Sequence, residues 1–125
     1  MQLEKIKITR IYGAENGLSY FEDLEIPMLV PVGNKQKISK TLGSGSCRVF
    51  QFGADFSMDW HVTSSPACFI YMQGAQEIEV SGGEIRQFGV GDILLAEDTT
   101  GKGHKSRSIS PIAGRALIID ASCKA

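Results

Sequence analysis

The chain has 125 residues and a balanced charge, with 13 basic and 14 acidic side chains and a formal net charge of −1. This length is typical of one domain, which can bury a core without disulfides or a structural metal. The charge balance excludes an electrostatic case for binding nucleic acid or an anionic membrane surface. The composition therefore predicts a single domain over residues 1–125 whose partners are neither nucleic acids nor membranes.

The cysteines and the amino-terminal segment predict a cytoplasmic protein. The chain has three cysteines, Cys47, Cys68 and Cys123, which are widely spaced and form no C-x-x-C pair. An odd number of cysteines at such spacing suits a reducing compartment. The first ten residues carry charges throughout and lack the apolar centre of a secretory signal. No apolar run approaches the length needed to cross a membrane.

The first third of the chain predicts one strand followed by a connection. Leu3, Ile6, Ile8 and Tyr12 mark an early strand with imperfect alternation. Residues 31–46 are polar and become rich in glycine and serine, which is typical of an exposed connection between strands. Too little chain precedes this connection to form a separate core.

The middle of the chain is apolar and aromatic. Every even-numbered position from Phe50 to Trp60 holds an apolar or aromatic residue, so we expect one face of this stretch to be buried. Residues 67–72 (ACFIYM) are apolar at every position, which predicts a strand covered on both faces. In a thin barrel the second cover is often a partner subunit, so the sequence predicts a homodimer.

The second half of the chain alternates between short strands and glycine-containing turns. A tight hairpin is predicted at Ser81–Glu84, because adjacent glycines supply the positive φ that two-residue turns require. Strands are predicted at residues 76–80, 85–88, 93–96, 104–109 and 115–120. With the earlier stretches this gives about eight strands and an all-β jelly-roll barrel.

Two segments resemble the motifs of the cupin superfamily. Residues 59–74 (DWHVTSSPACFIYMQG) resemble the first cupin motif and residues 91–104 (GDILLAEDTTGKGH) resemble the second. Together with the early segment Ser19–Asp23, they are similar to small single-domain bacterial cupins that carry DWH and EDTTGKGH. The resemblance covers most of the chain and implies a cupin-type double-stranded β-helix with a pocket inside the barrel.

The same resemblance implies where a metal would bind. Metal-binding cupins place two histidines and a glutamate in the first motif and a third histidine in the second, and these positions hold His61, Thr63, Ala67 and His104 here. Thr63 and Ala67 are poor replacements for imidazole and carboxylate ligands. We therefore expect no firmly held cofactor, and at most a weakly bound divalent ion (iron, zinc, manganese or nickel) at His61 and His104.

His61 and His104 are the two histidines of the chain, and both occupy motif positions that face the pocket in the family. We expect them to bind a ligand together with Thr63, Phe69 and Tyr71, which share the parity of His61. Imidazole titrates near neutrality and can act as an acid or a base. The alternatives are hydrogen-bonded structural histidines and plain core packing of the two aromatic residues.

Glu97 and Asp98 are adjacent, so only one of them can face the pocket from an extended strand. We expect Asp98 to cap the turn at 98–103 by accepting backbone N–H groups. Glu97 then remains, with His104, a candidate for acid–base catalysis.

Three functions fit these residues. The first, and the one we favour, is binding of a small organic molecule in the barrel pocket. The second is a metal-dependent enzyme of the dioxygenase or isomerase type that uses His61 and His104. The third is a metal-free sugar isomerase or epimerase in which His104 or Glu97 moves a proton. The barrel hosts many chemistries, so the fold does not choose among them.

Overall fold

The computed structural model describes residues 4–29 and 37–121, and this part of the chain contains ten β-strands and no helix. No helix long and apolar enough to span a membrane occurs among these residues. The strands are β1 (Lys5–Gly13), β2 (Ser19–Pro27), β3 (Cys47–Phe52), β4 (Ser57–His61), β5 (Ala67–Gln73), β6 (Ala75–Val80), β7 (Ile85–Gly89), β8 (Ile93–Ala96), β9 (His104–Ser108) and β10 (Gly114–Asp120).

The strands form two sheets. One has six strands in the order β2-β1-β8-β5-β10-β3, and the other has four in the order β4-β9-β6-β7. Neighbouring strands are antiparallel except for β1 and β8, which run parallel. The expected all-β jelly-roll architecture is therefore confirmed.

The core lies between the two sheets and contains side chains from both of them. Its buried apolar residues are Ile11, Phe21, Phe52, Tyr71, Ile78, Val80, Phe88, Leu94 and Ala116. Aromatic rings from different strands interlock in this core, as in the Phe21–Phe88 pair with ring centroids 5.9 Å apart. Their packing holds the two sheets together through non-directional burial of apolar surface.

The second half of the chain follows its predicted pattern. Ile78 and Val80 point inward from β6 and are 3% and 0% exposed, as period-two alternation requires. The β6–β7 hairpin turns at the predicted glycines, and Gly83 has a φ of 110°. The strands expected at 93–96, 104–109 and 115–120 are present as β8, β9 and β10.

The apolar run at residues 50–60 does not form one buried face, so that expectation is wrong. β3 ends at Phe52, a turn occupies residues 53–56, and β4 then begins in the other sheet. Phe52 is 1% exposed, whereas Met58 is 46% exposed. The alternation continues through the turn only by coincidence of position, because the chain crosses here from one sheet to the other.

The structure has ten strands where the sequence predicted about eight, and β2 is a strand that the pattern missed. β2 pairs with β1 along its whole length. Phe21 is buried on the core side of the sheet, and Ile26, which has the opposite parity, is buried on the other face. The exposed acids Glu22, Asp23 and Glu25 lie between them at both parities. β1 confirms the early strand, although Leu3 lies outside the described residues.

The predicted connection at 31–46 is described from residue 37 onward. Residues 37–46 contain no strand, and Ile38 forms an isolated bridge with Leu29. Residues 31–36 lie outside the described part of the chain. The described half of the connection therefore agrees with the prediction.

Candidate functional site

A cavity of about 360 Å³ opens between the two sheets. From the six-stranded sheet, neighbouring strands contribute a row of side chains at matched register: Leu94, Phe69, Ile118 and Arg48. From the four-stranded sheet, His61 and His104 lie opposite each other on β4 and β9. The fold thus brings the two predicted motif histidines to one side of a cavity and an apolar wall to the other.

The apolar wall is largely aromatic. Phe50, Phe56 and Phe69 all line the cavity. The ring of Phe50 meets the other two edge-on, with centroid distances of 5.8 Å to Phe56 and 6.4 Å to Phe69. Such edge-to-face contacts fix ring orientation and leave a shaped apolar surface for a ligand.

A hydrogen bond between the sheets lies on the cavity lining. The Tyr71 hydroxyl on β5 donates to Gln76 Oε1 on β6 at 2.7 Å, and both side chains are buried. Burial raises the pKa of Tyr71 far above its ordinary value, so the phenol stays neutral and keeps its donor proton. Tyr71 and Gln76 therefore satisfy each other and tie the two sheets together at the cavity.

His104 is oriented by a buried carboxylate. Its Nδ1 lies 2.6 Å from Asp98 Oδ2, and Asp98 is 0% exposed. The hydroxyls of Ser19 and Thr63 also donate to this carboxylate, each at 3.0 Å. A carboxylate accepts and does not donate, so Nδ1 carries a proton. In the neutral ring, Nε2 is then left as an acceptor.

The ring of His61 is oriented in a similar way, by a hydrogen bond from Nδ1 to a backbone carbonyl. Its Nδ1 lies 2.7 Å from Asp59 O, which can only accept, so Nδ1 again carries the proton. The rings of His61 and His104 are adjacent, with centroids 4.4 Å apart. Ser108 Oγ is the one buried side-chain polar atom left without a partner in the described residues. Both rings line the cavity, and no hydrogen bond joins either Nε2 atom to a protein group within residues 4–29 and 37–121.

The glycines of residues 99–103 allow this approach of β9 to β4. Gly103 has a φ of +80°, and a Cβ there would lie 1.9 Å from the carbonyl oxygen of His61. A Cβ on Gly101 would lie 2.4 Å from the Gly17 carbonyl oxygen. Only glycine fits these close backbone contacts. The segment is therefore a turn that delivers His104 to the cavity.

The structure corrects the assignments of Glu97 and Asp98. Asp98 does not cap the turn with its carboxylate; it bonds three side chains on the cavity side instead. Glu97 points to the outer face of the six-stranded sheet, forms an ion pair with Arg10, and does not line the cavity. Glu97 is therefore removed from the candidates for acid–base catalysis in the pocket, and His104 stays.

The five residues expected to bind a ligand all line the same cavity: His61, Thr63, Phe69, Tyr71 and His104. Their polar atoms differ in what they can offer. The hydroxyls of Thr63 and Tyr71 already donate to Asp98 and Gln76, whereas the two imidazoles each keep a free ring nitrogen. Asp98 was the site residue that sequence reasoning misassigned, because the strand before it is apolar at every position and gives no signal for which parity faces inward.

A second concavity, which we call the outer groove, lies on the opposite face of the six-stranded sheet. It has a volume of about 340 Å³. Its lining comprises Ile8, Arg10, Glu22, Leu24, Ile26, Lys40, Thr41, Leu42, Cys68, Leu95, Glu97 and Ala121. Residues of β5 and β8 therefore alternate between the cavity and the outer groove.

The residues at the cavity do not fit a firmly held metal ion. The two family positions besides the histidines hold Thr63, whose hydroxyl is engaged with Asp98, and Ala67, which has no donor atom. Within 4–29 and 37–121, no group of three or more His, Cys, Asp or Glu side chains could hold a metal ion. Two imidazoles alone make an incomplete ligand set.

Comparison with known proteins gives the fold. No family model matches the sequence, and no curated protein matches it. Among solved structures, the Schizosaccharomyces pombe Cnp3 cupin domain matches 98% of this chain and 86% of its own, at 16% identity and a TM-score of 0.53. The fold is that of a cupin domain. The likeness to small bacterial cupins in particular remains a prediction from the motifs.

A second structural match has a lower score. A crystal structure from Salmonella typhimurium, described as an ethanolamine utilization protein Q, covers 98% of this chain and 98% of its own. Its identity to this chain is 10% and the TM-score is 0.47. At such identities, likeness to the Cnp3 cupin domain gives the cupin fold alone, and the chemistry has to be argued from the cavity.

Proposed function

We propose that this cupin-fold protein binds a small organic molecule in the cavity between its sheets. The observation that carries the proposal is a cavity with aromatic walls and two adjacent imidazole Nε2 atoms that have no hydrogen-bond partner in the described part of the chain. Small-molecule sites are mostly apolar, have volumes of about 300–1,000 Å³ and contain a few convergent polar groups. The cavity volume of about 360 Å³ falls at the lower end of that range.

The chemistry of the lining suggests what such a ligand must offer. Phe50, Phe56 and Phe69 favour a flat, apolar body. The Nε2 atoms of His61 and His104 accept hydrogen bonds when the rings are neutral, so a complementary ligand carries a hydroxyl or N–H group. Aromatic burial supplies affinity, and the two acceptors supply orientation.

The polar part of the site is organised before any ligand arrives. Asp98 is buried and fixes the ring of His104, and the Asp59 carbonyl fixes the ring of His61. A side chain that is already ordered loses little entropy when a ligand binds. This preorganisation supports a binding role in which the histidines act as fixed acceptors.

The test is a screen of small aromatic and aliphatic compounds by NMR, which follows the ring C–H signals of the two histidines. We expect true ligands to shift both imidazole signals and to raise the thermal midpoint. Phe69→Ala should weaken such binding about tenfold or more, because it removes an aromatic wall. Met72→Ala is the matched control, because Met72 lies on the outer face of the same strand and is 43% exposed.

Two outcomes would contradict the binding proposal. One is a panel in which no compound of any charge perturbs either histidine. The other is a set of ligands whose affinity is the same in the parent protein and in Phe69→Ala. Either result would mean that the cavity is an unfilled space in the packing of the fold and not a binding site.

A second candidate function is metal-free proton transfer, as in an isomerase or epimerase acting on a sugar. The observation that favours it is the 2.6 Å contact between His104 Nδ1 and the buried Asp98, with Nε2 open to the cavity. A base held by a buried carboxylate is a recurrent arrangement for moving protons. Incorporation of deuterium from D₂O into a sugar substrate, lost in His104→Gln, would support this function. No exchange with any sugar that occupies the cavity would exclude it.

A further inference from the structure

Arg48 is the one formally charged side chain among the described residues that line the cavity. It is exposed on β3, so its guanidinium lies at the cavity mouth. No Asp or Glu of the described ranges lines the cavity, and Asp98 is separated from it by the side chains of Thr63 and His104, which bond to its carboxylate. The fixed charge that a ligand meets at the mouth is therefore a single positive one.

Arg48 differs from the other arginines of the chain in having no side-chain partner among the described residues. Each of the other four bonds a carboxylate or an amide oxygen: Arg10 to Glu22 and Glu97, Arg86 to Asp23 and Glu84, Arg107 to Glu77, and Arg115 to Gln51. Arg48 forms no hydrogen bond or ion pair with any residue in 4–29 or 37–121. Its five N–H donors are free for a ligand.

The register of the sheet places Arg48 beside the apolar wall. Arg48 on β3 is opposite Ile118 on β10, which is opposite Phe69 on β5. All three side chains line the cavity, so the stem of Arg48 continues the wall toward the mouth. A ligand packed against Phe69 would have its outer end close to the guanidinium.

From this placement we infer that the ligand class is the small aromatic monocarboxylate. Its ring occupies the space between the phenylalanines, its carboxylate pairs with Arg48 at the mouth, and a hydroxyl or N–H donates to the histidines. A guanidinium matches a carboxylate through two parallel N–H···O bonds. One cation suits one negative charge, and no lysine or second arginine lines the cavity among the described residues.

The inference rests on the proposed binding function and narrows it to a substrate class. The probe is 4-hydroxyphenylacetate, which has the ring, the carboxylate and a phenol donor. The comparison compounds are 4-hydroxyphenylacetamide, which is neutral and nearly the same shape, and tyramine, which carries a positive charge. Affinities are measured by calorimetry at low ionic strength, with histidine NMR signals as the check that the cavity is occupied.

We expect the acid to bind about tenfold more tightly than the amide, and the amine to bind least well. In Arg48→Gln the preference for the acid over the amide should shrink to about twofold or less, because the pairing charge is gone. Arg115→Gln is the matched control: it removes the same charge from neighbouring β10, and its side chain does not line the cavity. It should keep the full preference.

The results separate this inference from the function on which it rests. If the amide binds as tightly as the acid, or if Arg48→Gln keeps the preference, the carboxylate inference is overturned and the binding function stands. If the acid does not bind while neutral or cationic members of the panel do, the same conclusion follows. If no compound of any charge perturbs His61 or His104, both proposals fail together.

Discussion

The cavity between the sheets and the outer groove have nearly the same volume, about 360 and 340 Å³, but their arginines are in opposite states. In the outer groove, Arg10 pairs with both Glu22 and Glu97. In the cavity, Arg48 and two imidazole nitrogens have no partner among the described residues. Volume alone does not separate the two concavities, whereas the pairing of their arginines does.

Two adjacent carboxylates show how the chain builds this difference. Asp98 is buried behind the cavity lining and accepts bonds from three side chains that it positions. Glu97 faces the outer groove and neutralises Arg10. Buried polar groups in proteins are normally satisfied. The cavity is the better candidate for a ligand, because it combines two adjacent imidazoles with an arginine that has no partner among the described residues.

The largest effect is expected at the turn that carries His104 into the cavity. In Gly103→Ala, the new Cβ would lie 1.9 Å from the His61 carbonyl oxygen, at a φ of +80°. We expect the free energy of unfolding to fall by about 3 kcal/mol or more, because strain and a backbone clash combine. Gly83→Ala is the control, since its φ is +110° but nothing lies within 4 Å. It should lose about 1–2 kcal/mol. Equal losses in urea denaturation would show that no close approach exists at Gly103.

The next effect compares the two carboxylates directly. Asp98→Asn puts an amide group among three donors, so at least one buried bond is lost and His104 loses its orientation. We expect a loss of about 3 kcal/mol in stability. Glu97→Gln, one position away, keeps an acceptor for Arg10 and should lose about 1 kcal/mol. If Glu97→Gln lost more stability than Asp98→Asn, the carboxylate in the outer groove would contribute more to stability than the one beside the cavity.

The histidines should matter more for ligands than for stability. His61→Ala should lower stability by about 1 kcal/mol or less, and His104→Ala by about 1–2 kcal/mol because it removes one donor to Asp98. Affinity for a cavity ligand should fall in each variant, and the double variant should fall by less than the sum, since neighbouring residues couple. Calorimetric titration measures this cycle. Strictly additive losses would place the two rings in separate sites.

A small effect is expected from metal removal. Any divalent ion at His61 and His104 has two imidazole ligands and should be lost in overnight dialysis against a chelator. Elemental analysis should then find far less than one iron, zinc, manganese or nickel per chain, with an unchanged thermal midpoint. If one ion per chain survived dialysis in the parent protein but was lost in His104→Ala, further metal ligands would have to exist beyond His61 and His104.

The smallest effect concerns the outer face of the six-stranded sheet. We expect a homodimer that covers the outer groove and Met72, which is 43% exposed. Burial raises the pKa of the Cys68 thiol in this groove, so the reactive thiolate is scarce until the pH exceeds its ordinary range. Alkylation of Cys68 should be slow at pH 8 and a few-fold slower again at high protein concentration, with exposed Cys47 as the internal control. Light scattering that shows one chain at all concentrations would exclude the dimer.

Period-two alternation predicted much of the fold and little of the polar site. The β6–β7 hairpin is set by local glycines and by Ile78 and Val80, which face the core, so local sequence was enough. β2 was missed because Phe21 and Ile26 have opposite parity and three acids lie between them, so neither face shows a regular period-two apolar pattern. Edge strands often carry charges on their outer positions, so a strand of this kind has a weak apolar signal.

The roles of Glu97 and Asp98 could not be read from the sequence for a similar reason. The preceding strand β8 is apolar at all four positions, so its pattern does not show which parity faces inward. Only the pairing of β8 with β5 and β1 in the folded sheet settles that Leu94 and Ala96, and therefore Asp98, point to the cavity side. Arg48 was missed because its importance depends on the absence of a partner, which is a property of three-dimensional neighbours.

The parallel pairing of β1 with β8 has a consequence for biosynthesis. Thr9 and Ile11 pair with Leu94 and Ala96, residues that leave the ribosome only after most of the chain has been translated. The β1–β2 hairpin can form early, but its buried face has no sheet to join until β8 emerges. Closure of so long a loop is entropically slow. Newly made chains therefore expose an apolar hairpin until β8 has been synthesised, which makes this hairpin the part of the chain most open to aggregation during elongation.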